Sequence, residues 1–235
     1  MKKFYAAIGI FKLQSQDGKK TYPSVILSGK ECKLDVQEMM IWASLNWRIL
    51  TLEQLKTCYD ELKVRHNLIC SRSFEDTLNR LMVRGLIAEG IGETDEDALY
   101  NLISKLYIIP LYDSTSIRMI SFLKLIFIHK VPFEKAKIIF KRDKKTKKEK
   151  QIMSLAFSAP MITAEIIKCV DKNINCILCE DDIVEFLYDE HNITNDNIAD
   201  YTRNLPSTRS VITAIINLYM RQQILFERVG QYDFN

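Results

Sequence analysis

The stretch that decides the fold is SFEDTLNRLMVRGLI, residues 73–87. Within it Phe74, Leu78 and Leu81 recur at helical spacing, which indicates the buried side of one helix. Gly85 is placed to end that helix, because glycine adopts the left-handed conformation that reverses the chain. The aliphatic residues after it favour a short strand. The segment therefore predicts a helix, a tight reversal and a strand in succession.

Two more helices are predicted immediately before this segment. Asp35 can cap a helix that runs to about Leu45. Thr51 and Gln54 have the spacing of a capping box, and the helix that they open is predicted to reach about Lys63. The order is thus helix, helix, loop, helix and strand.

The residues after the third helix are predicted to form a strand, a turn and a fourth helix. Residues 86–88 are the strand, Gly90 and Gly92 favour the turn, and Thr94 can cap a helix to about Leu106. At the other end of the chain, residues 4–11 and 21–27 are predicted strands of an N-terminal β-hairpin.

The stretch 35–92 resembles the winged helix-turn-helix transcriptional regulators, in the broad sense that includes the MarR-like and PadR-like groups. The residues that carry the resemblance are TLEQL at 51–55 and, in the third helix and after it, Ser73-Phe74, Leu78, Leu81 and the phrase RGLI at 84–87. The resemblance implies a unit whose third helix enters the major groove of DNA.

A second copy of this plan is predicted in the C-terminal part. ITNDNI at 193–198 matches LTLEQL at 50–55, and the pattern from Ser210 to Ile224 matches that from Ser73 to Ile87. A helix at 180–188 would open this copy. Matches that recur in the same order far along the chain indicate two copies of one unit.

The expected fold is therefore mainly α with small β wings, built of two tandem winged-helix units joined by a helical linker. The predicted domains are an N-terminal β-hairpin (1–30), a first winged-helix domain (31–110), a helical linker and dimerisation region (111–172) and a second winged-helix domain (173–235).

The third helix of each copy supplies candidate DNA contacts on its outward face. In the first copy this face holds Arg72, Asp76, Asn79 and Arg80. Arginine pairs with guanine, asparagine with adenine, and a carboxylate accepts from cytosine. Such residues are also common on any solvated helix face, and that alternative stays open.

In the second copy the equivalent face holds Arg209, Thr213 and Asn217, with hydroxyl side chains at its start. Ile216 and Met220 on the same face are apolar, so this copy could equally bind protein. The lysine-rich run 141–150 and Arg228 in the second wing are candidate phosphate contacts. The complete set of predicted DNA-binding residues is Ser71, Arg72, Ser73, Asp76, Asn79, Arg80, Lys144, Lys145, Lys147, Lys148, Ser207, Thr208, Arg209, Thr213, Asn217 and Arg228.

Enzyme activity has no positive support in the sequence. The chain of 235 residues is 47% hydrophobic, which suffices for a core, but it contains no GxxxxGK[ST] or GxGxxG phosphate loop. His66, His129 and His191 stand apart from any catalytic partner. No catalytic residue and no cofactor is therefore expected.

A metal site is also not expected. Cys176 and Cys179 have CxxC spacing, and with Cys169 and His191 they are the one conceivable zinc set. The chain lacks the second CxxC or the HxxxH of known zinc modules, so reduced structural thiols are expected, with a redox switch as a further alternative.

The apolar stretch 119–128 is too short to span a bilayer and contains Lys124, and residues 1–12 make a poor signal peptide. We therefore expect a cytoplasmic protein that does not bind membranes. The stretch 119–128 is either a buried centre or the seam of a homodimer. An apolar pocket near 106–130 is a candidate site for a small-molecule effector, whose chemistry the sequence does not indicate.

The expected function is sequence-specific binding of double-stranded DNA by a regulator of transcription. One alternative is a protein-interaction module resembling the tandem winged helices of chromosome-segregation complexes. A second alternative is a plasmid replication initiator.

Overall fold

Strand β1 (Lys2–Ala7) is the centre of a three-stranded antiparallel sheet. It pairs with β5 (Ile49–Leu50) on one side and with β6 (Ile87–Gly92) on the other. The computed structural model describes residues 1–16, 20–68, 70–111, 144–177, 187–188 and 193–228. An N-terminal strand thus completes a sheet whose other strands lie far along the chain.

Helices α1 (Val36–Leu45), α2 (Leu52–Arg65) and α3 (Phe74–Val83) pack on this sheet. The predicted helices are confirmed here, and Ser73 caps α3 by accepting from the Asp76 N–H. Their buried cluster centres on Trp42, Leu55 and Leu81.

Strands β2 (Ile10–Gln16), β3 (Lys20–Leu27) and β4 (Lys30–Lys33) form a separate antiparallel sheet. The prediction of a single strand at 4–11 was wrong, because the extended structure is interrupted at Gly9 between β1 and β2. Gly9 has a φ of +88°, and a Cβ there would lie 2.6 Å from the Ile26 carbonyl oxygen. Two sheets therefore begin from what the sequence presents as one apolar run.

The predicted turn at Gly90 and Gly92 was also wrong, because both glycines lie in β6. Helix α4 (Asp95–Ile103) folds back onto this strand, with Thr94 as its confirmed cap. A Cβ on Gly90 would overlap the Ala98 carbonyl oxygen. These glycines serve the close approach of a helix to a strand.

The second half of the chain repeats the connectivity of the first. Its elements are β7 (Tyr107–Pro110), α5 (Lys147–Ser158), α6 (Thr163–Asp171), α7 (Ile198–Thr202), α8 (Thr208–Met220) and β8 (Ile224–Glu227). Strand β7 pairs with β8, and Tyr107 forms a bridge with Ile162 just before α6. Thus β7, α5, α6, α8 and β8 correspond to β1, α1, α2, α3 and β6, and Ile162 stands where β5 does.

The strand register of the two repeats is the same. Ile87 pairs with Ala7 in the first repeat, and Ile224 pairs with Pro110 in the second. The chain reversal after the third helix is also repeated. In the first repeat the Leu86 N–H donates to the Leu81 carbonyl at 3.0 Å, and in the second the Gln223 N–H donates to the Leu218 carbonyl at 2.9 Å.

The helices that correspond to α1 and α2 by strand pairing and capping lie at 147–158 and 163–171. The sequence matches had instead aligned α2 with residues 193–198. The predicted helix at 180–188 falls almost entirely outside the described residues. The structural equivalence runs from Asp35-x-x-Glu38 to Thr146-x-x-Glu149, and each pair closes a capping box.

The expectation of a mainly α fold of tandem winged-helix units joined by a helical linker was therefore wrong. The structure is mixed α/β, with 48% helix, 21% strand and three small sheets. The sequence patterns predicted too little strand at the start of each repeat and in the sheet formed by β2, β3 and β4. Helices α5 and α6 belong to the second repeat.

The two repeats pack against each other through Tyr219 at the end of α8. Its hydroxyl donates toward the Leu45 carbonyl at 3.1 Å and accepts from the Trp47 N–H at 3.2 Å. The Gly9 N–H donates to the Phe226 carbonyl at 3.0 Å. The larger buried cluster accordingly runs from β1 and α4 into α5, α6 and α8.

None of the helices in the described ranges has the length and the hydropathy to cross a bilayer. The stretch 119–128, on which the predicted homodimer depends, lies outside the described residues, as does most of the predicted effector pocket at 106–130.

Candidate nucleic-acid interface

Helix α3 has the orientation predicted for it. Phe74 and Leu78 are 6% and 4% exposed, whereas Asn79 and Arg80 face solvent. Asp76 also faces solvent, but it accepts from the hydroxyl of Ser73 at 2.7 Å within the cap. Of the predicted contacts in this helix, Asn79 and Arg80 remain on the open face.

The arginines of the first repeat are paired with carboxylates of α1. Arg72 binds Asp35, and the Arg80 Nε lies 2.8 Å from Glu38, whose side chain is 1% exposed. Burial by itself would raise the pKa of Asp35, but the Glu38 N–H and the Arg72 guanidinium hold it below its usual value. The positive charge near α3 is therefore largely compensated within the repeat.

Gln37 fixes the loop that leads into α3. Its amide oxygen accepts from the Ser71 N–H at 3.1 Å and the Arg72 N–H at 3.3 Å, and its amide nitrogen donates to the Arg72 carbonyl at 3.1 Å. Ser71 is thus held mainly by contacts within the protein.

The second repeat has a different charge at the same place. Lys148 occupies the position of Gln37, and its ammonium group donates to the hydroxyl of Ser210 in the first turn of α8. Lys144 and Lys147 are exposed beside it and Lys145 is half-buried. The start of α5 therefore brings the lysine run to the start of α8.

A groove of about 510 Å³ lies between these two helices. Its lining includes three predicted contacts of α8, namely Arg209, Thr213 and Asn217. The remaining lining residues are Thr146, Lys148, Glu149, Pro206, Ser210 and Ala214. The structure thus brings together predicted contacts of α5 and α8 that lie far apart in the sequence.

Comparison of the two repeats explains why this surface is basic. Thr146 stands where Asp35 caps α1, so the arginine equivalent to Arg72, which is Arg209, has no carboxylate at that cap. Residues 144–150 contain five lysines and one glutamate, whereas the equivalent residues 33–39 contain one lysine and two acids. The second repeat therefore presents a more positive surface than the first.

Three predicted contacts in the C-terminal part of the chain face the protein interior instead of the groove. The Thr208 hydroxyl donates to the Thr202 carbonyl at 2.5 Å and the residue is 8% exposed, while the Ser207 hydroxyl points to the Ile167 carbonyl at 3.4 Å. Arg228 is half-buried beside the β3–β4 turn, and burial lowers its pKa. These side chains face the protein.

Helix α4 borders the groove with acidic residues. Arg209 is 80% exposed on its side chain and pairs with Glu96 at 2.6 Å, and Arg203 lies 3.8 Å from Asp97. A cleft of about 330 Å³ separates the two helices, with Leu99, Ile212 and Ile216 among its lining residues. No sequence pattern indicates that α4 meets α8.

Two hydroxyl residues of the groove were missing from the sequence-based set. Ser210 receives the Lys148 hydrogen bond, and Thr146 replaces the acidic cap of the first repeat. The signal that could have found Thr146 is the pair of capping-box spacings at 35–38 and 146–149.

The conceivable zinc ligands are not assembled among the residues that the structure describes. No group of three or more His, Cys, Asp or Glu side chains there is arranged so that it could hold a metal ion. Cys169 is buried, which raises the pKa of its thiol to about 12, and Cys176 is exposed. Cys179 and His191 lie outside the described residues.

No protein-family model, no curated protein and no solved structure matches this chain. Its functional assignment therefore depends on the geometry and charge of the surface between α5 and α8.

Proposed function

We propose that the protein binds double-stranded DNA through the lysine-rich start of α5 and the exposed face of α8. The observation that carries the proposal is the hydrogen bond from Lys148 to Ser210, which joins the lysine run to the third helix of the second repeat. Lysines neutralise phosphates and release counterions, so they supply affinity, while a helix beside them can reach base edges.

The difference between the repeats supports a division of labour. Arg72 and Arg80 in the first repeat are paired with Asp35 and Glu38, whereas residues 144–150 of the second repeat carry five lysines and one glutamate, which is buried beside Arg221. The second repeat is the DNA-contacting one in this proposal. The resemblance of 35–92 to winged helix-turn-helix regulators stays a prediction, and regulation of transcription is the role that it implies.

The test is fluorescence anisotropy with a labelled duplex of random sequence, titrated at several salt concentrations. Lys147→Ala with Lys148→Ala should weaken binding and lower the slope of log affinity against log salt by about one to two. The matched control is Lys30→Ala with Lys105→Ala, which removes the same charge from exposed lysines outside the groove.

Equal losses in the two double variants would contradict the proposed surface. Absence of binding at low salt would contradict DNA binding itself and favour the protein-interaction alternative. Selection of bound sequences from a random pool then tests whether binding is sequence-specific.

A further inference from the structure

The flank of α8 that borders the groove has a particular chemistry. Arg209, Thr213, Asn217 and Met220 follow one another at successive turns of the helix. Arg209, Thr213 and Met220 are exposed, and Asn217 is partly exposed. Any base pair read by α8 would meet these side chains.

The hydroxyl of Thr213 is occupied within the helix. It donates to the Arg209 carbonyl at 2.8 Å, one turn earlier. Its hydrogen is therefore engaged, although the oxygen can still accept, and the group that Thr213 offers to an apolar partner is its methyl. In the major groove a methyl group is complementary to the C5-methyl of thymine.

Asn217 carries the polar group of this flank. Among the described residues, none hydrogen-bonds to its side-chain amide. An amide presents a donor and an acceptor side by side, which matches N6 and N7 of adenine. Arg209, the residue type that reads guanine, is instead paired with Glu96 at 2.6 Å.

We propose that α8 reads A·T base pairs, with Asn217 recognising adenine and the Thr213 methyl group recognising thymine. The inference rests on the proposed DNA binding and specifies its target. Met220, which is 57% exposed, extends the apolar surface toward the next base. Helix α8 itself contributes no carboxylate that could accept from cytosine, and the neighbouring Glu96 is paired with Arg209.

The test compares 20-base-pair duplexes of alternating A–T, alternating G–C and alternating A–U at one salt concentration. Wild-type protein should bind the A–T duplex about tenfold more tightly than the G–C duplex. The A–U duplex differs from A–T only by the thymine methyl groups, and it should be bound several-fold more weakly.

Two variants of one side chain isolate the methyl contact. Thr213→Ser keeps the hydroxyl and removes the methyl group, so it should bind A–T and A–U duplexes equally. Thr213→Val keeps a methyl group and should retain the wild-type preference. Asn217→Ala should become insensitive to replacement of adenine by 7-deazaadenine, which lacks the N7 acceptor.

The outcomes separate this inference from the proposed function. Salt-dependent binding with equal affinity for the A–T and G–C duplexes overturns A·T recognition and leaves DNA binding intact. Equal wild-type affinity for the A–T and A–U duplexes overturns the thymine contact, because the two duplexes differ only in the methyl group that Thr213 would contact. Failure to bind any duplex at low salt overturns the proposed function and this inference with it.

Discussion

In each repeat one buried glutamate binds an arginine at the end of the third helix, where the chain reverses. Glu38 and Glu149 are each 1% exposed on the side chain, and each closes a capping box at the start of its helix. Glu38 lies 2.8 Å from Arg84, and Glu149 lies 3.4 Å from Arg221. One carboxylate therefore links the beginning of the first helix to the end of the third.

Glu38→Ala should lower the free energy of unfolding by about 3 kcal/mol, because it leaves a buried site without its carboxylate and removes a helix cap. Glu149→Ala should cost less, since its partner Arg221 is more exposed than Arg84, 39% against 26%. Urea unfolding at neutral pH measures both. The exposed Glu53→Ala is the control, and equal small losses in all three variants would contradict this account.

A buried carboxylate in α6 should make stability depend on pH. Burial raises the pKa of Glu165 above its ordinary value of 4.5, although the Tyr188 hydroxyl at 2.6 Å and the Ile162 N–H at 2.7 Å oppose the shift. The folded state then binds more protons than the unfolded state. Stability contributed by this group is present at acidic pH and is lost as the pH rises through the folded pKa.

Glu165→Gln should therefore reduce the loss of stability between pH 4 and pH 7, because the neutral amide does not titrate in this range. Its oxygen can accept from the Ile162 N–H, and its NH2 group can donate to the Tyr188 hydroxyl. The comparison is urea unfolding of wild type and variant across that range. Glu75→Gln should act in the opposite direction, because its own backbone N–H and Lys56 lower the pKa of Glu75. An unchanged pH profile in Glu165→Gln would contradict a raised pKa for this carboxylate.

At the scale of helices and strands, Gly90 decides whether α4 can lie on β6. A Cβ at this position would overlap the Ala98 carbonyl oxygen and would lie 2.5 Å from the Leu102 Cβ. Gly90→Ala should thus displace α4 and destabilise the protein by about 3 kcal/mol. Gly29→Ala is the matched control, because its site is open and only its φ of +76° is unfavourable, which costs about 1 kcal/mol. Thermal unfolding of both variants tests the difference, and equal losses would contradict the close approach of α4.

Helix starts were predictable because capping is local. Asp35, Thr51, Ser73 and Thr94 each accept a hydrogen bond from a backbone N–H three residues later. The burial of Phe74 and Leu78 was predictable for the same reason, since helical spacing alone selects one face.

What the sequence did not predict depends on contacts between distant elements. Glycine is typical of turns, but Gly90 lies in strand β6. It is glycine because α4 packs too close to leave room for a Cβ. Residues 193–198 match the opening of α2, yet the structural equivalent opens at Thr163. Because sequence similarity between the repeats is weak, their correct alignment emerges only from the shared strand register and caps.

For the candidate site, the sequence supplied the residue types but not their assembly. Lys148 and Arg209 were predicted as separate DNA contacts, and only the structure brings both to one groove. Thr208 was predicted to face DNA but is buried, because its hydroxyl satisfies the Thr202 carbonyl. Hydroxyl residues at a helix start serve either role, and the pattern does not distinguish them.

At the scale of the whole molecule, packing of the two repeats sets the acidic end of α4 against the basic end of α8. Glu96 forms an ion pair with Arg209 at 2.6 Å, so a carboxylate from the first half of the chain neutralises a cation of the second half. A phosphate approaching the start of α8 would have to compete with this carboxylate.

Glu96→Gln should therefore raise affinity for duplex DNA several-fold at low salt and increase the salt slope by about one, because Arg209 becomes available to a phosphate. Asp95→Asn removes the same charge from the same helix end, but Asp95 lies 3.8 Å from Lys2 rather than beside Arg209. It should give a smaller gain with an unchanged slope. Adding Arg209→Ala to Glu96→Gln should abolish the extra affinity. Equal gains in Glu96→Gln and Asp95→Asn would show that only the overall charge of α4 matters, and that Glu96 does not restrain Arg209.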